Sequence, residues 1–314
     1  MADTPILEFD VIIDTSLKEL DEAFSSNQHL MSLTNRFESG AWRESKFVSF
    51  LMDNLVLTAL SKEERDKMLG GNAFSALQAA ARNLRMVDND RGKGGEIAEI
   101  LLYGIMSKYF NALPVIPKVF YKQNTQDNAK GSDSVHIVLD GDEGFTLWLG
   151  EAKFYNSIKS DRLDDPVNSV LTALTTHALR KETTLLMGYK DLGLCVENQD
   201  LLNKIKRYLS LDTSLDDIKK VLHVPIMLLH ECEVTKAATS MTEDFKSRLI
   251  SKHKECAIAF FKKLNSKHTE IKNDEDLNGI FLFDRINFHL ILFPAPSKDS
   301  IVNRFYGNAE FLRK

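Results

Sequence analysis

Two apolar runs joined by a short polar turn constrain this chain more than any other feature. SDSVHIVLD (132–140) and FTLWLGEAKFY (145–155) are rich in β-branched and aromatic residues, and the DGDEG that links them (140–144) is a strong turn signal. Such a pair predicts an antiparallel hairpin. If its centre is residue 142 and no bulge shifts the register, position 142 − n faces 142 + n, and Asp133 becomes the cross-strand neighbour of Glu151. Strand alternation puts Glu151 and Lys153 on the face of Leu147 and Leu149. If that face is covered, both charges need partners. Two opposed carboxylates repel, and a divalent cation between them reverses the sign of that interaction.

Around the hairpin the periodicity alternates between helix and strand. ILEFDVIID (6–14) reads as a strand, and SLKELDEAF, HLMSLTNRF, KFVSFLMDNLVLTALS and NAFSALQAAARNLRM read as helices, with Gly70–Gly71 separating the last two. Residues 1–88 are therefore expected to form a mainly helical region. The polar, glycine-rich DNDRGKGG (88–95) is the best boundary in the chain. EIAEILLYGIMSKYF (96–110) is apolar over most of its circumference and must be buried, leaving Glu96 and Glu99 on the remaining face. PVIPKVFYK (114–122) is extended. DDPVNSVLTALTTHALRK opens a helix, with Asp164 or Asp165 as N-cap and Pro166 at the first helical position. HVPIMLLHEC (223–232) and INFHLILFPAP (286–296) are β-rich, and the stretches between and after them are helical. The expected class is mixed α/β, a mixed sheet flanked by helices.

The net charge of −5 gives no global positive field for nucleic acid, so any such binding relies on local patches, a metal or a partner. Three cysteines, Cys195, Cys232 and Cys256, lack metal-like spacing and imply no disulfide framework. MADTPILEFD is acidic where a secretory signal is basic, and no apolar run approaches a membrane span, so the expected location is the cytoplasm.

A helix carboxylate, a strand aspartate and a Glu-x-Lys on the adjacent strand form an oxygen-rich set suited to Mg²⁺ or Mn²⁺, to which the backbone carbonyl of Ala152 adds a further donor. The chemistry this set fits is phosphodiester hydrolysis, with Lys153 orienting a water or stabilising developing charge.

The order of a Glu-bearing helix, then G-S-D, then G-E-A-K, resembles the PD-(D/E)xK fold of restriction-type endonucleases, with Ser132 where the motif's proline stands. Within that superfamily, R-G-x-G-G-E-I-A-E-I-L-L, G-S-D-x-x-H and G-E-A-K-F-Y (together spanning 91–155) are similar to the nuclease subunit of the Hachiman anti-phage defence system. The resemblance implies a restriction-endonuclease-like core over 89–314, metal ligation by Asp133 and Glu151, and a catalytic role for Lys153. The helix acid of G-x-x-x-E, counted from Gly95, falls on Glu99, with Glu96 as second candidate. It also implies DNA as substrate and a superfamily 2-type helicase subunit as partner.

Each element has a bland alternative. A lone Glu-x-Lys is usually a solvated ion pair. His136, three residues past Asp133, faces the other side and reads as structural, as do His230, Glu231, Cys232 and Glu233, which alternation splits between faces. RGKGGE lacks phosphate-loop spacing. Arg91, Lys93, Lys118, Lys122 and Lys130 are either phosphate contacts or solubilising charges. Tyr155 continues the face of Glu151 and either contacts substrate or packs. Two other functions stay open: a non-catalytic module that binds and gates a helicase, and a nuclease directed at RNA.

Overall fold

The structure, a computed structural model, describes residues 8–84, 94–116, 132–141, 144–188, 190–273 and 280–314. Arg91, Lys93, Lys118, Lys122 and Lys130 lie outside these, as do residues 142–143 of the turn. Among the described residues the strands are β1 (Asp10–Ser16), β2 (Gln28–Thr34), β3 (Phe37–Glu38), β4 (Ala41–Trp42), β5 (Leu113–Ile116), β6 (Ser134–Asp140), β7 (Gly144–Tyr155), β8 (Leu222–Glu231) and β9 (Asn287–Ala295). Apart from the small β3–β4 ribbon they form one seven-stranded sheet in the order β1–β2–β9–β8–β7–β6–β5. β2, β9, β8 and β7 run parallel to one another, while β1 at one edge and β6 and β5 at the other are antiparallel to their neighbours. The expected mixed α/β architecture is thus observed.

Helices of ten residues or more, again among the described residues, are α1 (Glu44–Ala59), α2 (Ala73–Arg82), α3 (Gly95–Tyr109), α4 (Asp164–Ala173), α5 (Thr176–Gly188), α6 (Gln199–Leu209), α7 (Glu243–Asn273) and α8 (Lys298–Arg313). They cover both faces of the sheet. On one face Leu147 and Leu149 of β7, Ile226 and Leu228 of β8 and Leu290 and Leu292 of β9 pack with α4, α5, α6 and α7. On the other, Trp148, Ala152 and Phe154 of β7, Met227 and Leu229 of β8 and Ile291 and Phe293 of β9 pack with α1, α2, α3 and α8. Each strand thus contributes alternate residues to two cores.

That double burial explains the largest misreading. HLMSLTNRF, expected to be helical, is largely strand β2, paired antiparallel with β1 and parallel with β9. Leu30 faces the first core while Met31 and Leu33 face the second. A strand apolar on both faces loses its period-two signature and cannot be told from a buried helix by pattern alone. SLKELDEAF yields only one helical turn, Leu17–Leu20. α4 begins at Asp164, two residues before Pro166, because a 3₁₀ turn (Ser160–Leu163) leads into it. Pro166 then occupies the third helical position, where its missing N–H is still unneeded.

Polar groups in the cores are histidine-rich. His136 is buried against Tyr103, ring centroids 4.7 Å apart, and burial pushes its imidazole down to about 3. His230 Nε2 meets His253 Nε2 at 3.1 Å, and His253 Nδ1 meets Ser32 Oγ at 2.5 Å, linking β8, α7 and β2. Burial pushes His230 down to about 4 and His253 well below its ordinary range. Glu231 instead accepts from Lys298 N at 2.6 Å, at the start of α8. His230 and Glu231 are therefore framework residues.

Candidate functional site

The site is built on the hairpin. β6 and β7 pair without a shift from Asp140↔Gly144 to Ser134↔Gly150, the register that a centre at 142 dictates. Asp133 lies one residue past the last pair. Its N–H donates to Gly150 O at 2.8 Å, and its Oδ2 accepts from Ala152 N at 3.1 Å. Lys153 Nζ stands 3.7 Å from Asp133 Oδ2 and makes a close ion pair with Glu151 Oε1. Asp133, Glu151 and Lys153 therefore converge on the face covered by α4 and α5.

The electrostatics follow from burial. The Glu151 side chain is 10% exposed. Burial, reinforced by repulsion from Asp133, raises its carboxyl above the ordinary 4.5 against the opposing pull of Lys153 and, more weakly, of Ser169 on α4. Lys153 is one-third exposed; burial works against its charge, but Asp133 and Glu151 outweigh it and hold the ammonium above its usual range. Burial raises the Tyr155 hydroxyl to about 12, with Lys153 pulling it down. One ammonium thus serves two carboxylates.

Linkage fixes a sign. Glu151 binds its proton more tightly folded than unfolded, so its contribution to stability is complete below 4.5 and is lost as pH rises through its raised folded value. Melting wild type and Glu151→Gln without metal is expected to show the wild type gaining relative stability as pH falls through that window.

The helix acids stand elsewhere. α3 covers the opposite face of β7, and Leu102 approaches Gly150 from that side. Glu96 and Glu99 lie close to the Tyr306 hydroxyl of α8: burial first, then these two acids, raise it strongly. The charges acting on Glu151 are those of Asp133 and Lys153. Glu99 and Glu96 thus form a second group with Tyr306. Ala152 keeps its side chain on the α3 face, and its N–H is bound by Asp133.

Two glycines of the motifs have steric reasons. Gly94 caps α3 at φ +101°, where a Cβ would sit 3.0 Å from the Phe154 ring. A Cβ on Gly150 would collide with Ser134 Oγ and lie 2.8 Å from Leu102 Cδ2. Gly150→Ala is expected to destabilise the fold by about 1–3 kcal/mol, as overpacking does; a shift in the urea midpoint measures it.

As a donor set, Asp133 and Glu151 with the Ala152 carbonyl supply hard oxygens. Among the described residues no group of three or more His, Cys, Asp and Glu is arranged to hold a metal. Two carboxylates and one carbonyl are too few donors for a full protein cage, whereas Mg²⁺ retains several waters and takes one or two carboxylates.

A family model described as HamA matches residues 10–309. The chain belongs to the HamA family. No curated protein matches it. HamA membership bears out the resemblance to the Hachiman subunit and makes this an anti-phage defence component. The match runs from β1 to α8, so the N-terminal strands belong to the HamA unit as much as the hairpin does. No helix among the described residues is long and apolar enough to cross a membrane.

Sequence reading missed two residues of this HamA site. Ser169 of α4 lies beside Glu151 and favours its charged form, and Glu182 of α5 accepts from Ser132 N at 2.8 Å. Ser169 gives no signal. Glu182 does, since it shares a helical stripe with Leu179, Thr183 and Leu186 and so falls on the buried side.

Proposed function

We propose that this HamA chain is a metal-dependent DNA nuclease of the PD-(D/E)xK type, the effector subunit of a Hachiman complex with a superfamily 2-type helicase. The observation that carries the reading is the convergence of Asp133, Glu151 and Lys153 across an unshifted hairpin. Asp133, Glu151 and the Ala152 carbonyl would hold Mg²⁺ or Mn²⁺. When bound, the ion supplies Lewis acidity to a phosphate oxygen and makes a bound water more acidic. Lys153, kept cationic by its two neighbours, directs an ammonium N–H at the water or at the developing oxyanion. Asp133 is oriented by the Ala152 N–H.

The test incubates the full chain, alone and with its co-expressed helicase, with matched DNA and RNA and Mg²⁺. Loss of DNA in wild type and not in Asp133→Ala or Glu151→Ala supports the reading. Cleavage confined to RNA moves it to the RNA-directed alternative. Helicase binding with no Mn²⁺ uptake by calorimetry replaces it with the non-catalytic module.

A further inference from the structure

Asp133 carries one of the two converging carboxylates, yet it stands past the last β6–β7 pair. On the β7 side, Asp133 N–H is held by Gly150 O at 2.8 Å. Successive N–H groups of an extended chain point to opposite sides, so Ser132 N–H faces away from β7. There the last described pairing with β5 is Ile116↔Val135, short of Ser132. The acceptor is supplied by a helix: Ser132 N–H donates to Glu182 Oε1 at 2.8 Å.

Glu182 is 2% exposed and shares the buried side of α5 with Leu179, Thr183 and Leu186. An apolar residue is the ordinary occupant of such a position, and a buried carboxylate is costly unless hydrogen-bonded. Here it takes up the backbone N–H of Ser132, which is itself 3% exposed. The chain is thus clamped on both flanks within two residues, by β7 at Asp133 and by α5 at Ser132.

We propose that Glu182 is a positioning residue for Asp133: by holding the Ser132 amide it fixes the backbone from which the Asp133 carboxylate enters the site. This rests on the metal-site reading of Asp133 and Glu151. The role requires an oxygen acceptor at position 182. Glutamine keeps one. Methionine keeps much of the volume and suits the surrounding core but lacks a strong acceptor.

The experiment compares wild type, Glu182→Gln and Glu182→Met in the full chain by hydrogen exchange of the Ser132–Asp133 amides without metal, and by Mn²⁺ titration calorimetry. In Glu182→Met these amides are expected to exchange faster, and Mn²⁺ affinity to fall by about 10- to 100-fold, the usual loss when an outer-shell partner is removed. Glu182→Gln is expected to stay near wild type in both. Wild-type exchange and affinity in Glu182→Met overturn the proposal, and so does equal loss in both variants, which would point to charge or packing. If wild-type Mn²⁺ binding does not require Asp133 and Glu151, the metal-site reading fails instead, while amide exchange still decides whether Glu182 holds Ser132.

Discussion

Glu151→Ala and Lys153→Met are expected to separate metal binding from cleavage. Both should lower Mg²⁺-dependent DNA cleavage by about 10²- to 10³-fold, the range seen when one preorganised electrostatic group is removed from an active site. They should differ in calorimetry. Alanine at 151 removes one of two converging carboxylates, so Mn²⁺ binding should fall with cleavage. Methionine at 153 leaves both acids and removes the ammonium that competes for them. Metal affinity should then hold or rise while turnover is lost. Wild-type cleavage in either variant would reject the assignment. Loss of Mn²⁺ binding in Lys153→Met would show that the lysine orders the acids rather than competing for them.

The second large effect is acid lability. His136 and His230 are buried with imidazoles pushed down to about 3 and about 4, and His253 is driven well below its ordinary 6.5. Each folded value lies below the unfolded one, so unfolding takes up a proton at each position once pH drops below 6.5. The stability they contribute is complete above 6.5 and is lost as pH falls toward the folded values. One proton is worth about 1.4 kcal/mol per pH unit. Three acting together approach about 4 kcal/mol per unit, and a domain has only about 5–15 kcal/mol in all. His230 and His253 share a hydrogen bond, so their uptake is coupled. Thermal melts from pH 8 to 4 should show a steep fall beginning near 6. His136→Leu should flatten that slope by about one proton's worth. A flat profile from 7 to 5 would contradict the burial of these rings.

How far the sequence reached follows from what each residue's pattern encodes. The hairpin was legible because a polar turn fixes a centre, and a period of two then fixes every pair, including the approach of Asp133 to Glu151. Lys153 followed by parity. β2 was not legible: Leu30 enters one core and Met31 and Leu33 the other, so the alternation that marks a strand is absent. The place of Glu96 and Glu99 was out of reach for a different reason. Periodicity gives the polar side of α3 but not the face of the sheet on which the helix lies, and that choice sends both acids to Tyr306. Ser169 depends on the packing angle of α4, which no spacing records. Glu182 was readable in principle, as a carboxylate within an apolar helical stripe.

The strand order carries a consequence for the timing of synthesis. β2 docks on the sheet only through β9, which spans Asn287–Ala295, so the β1–β2 pair made first has no partner on its open side until nearly the whole chain is translated. Contacts spanning such sequence separations make folding slow. They also couple its completion to the end of the message. A nascent or truncated chain lacking β9 and α8 would lose the junction between its first strands and the strand bearing Glu151.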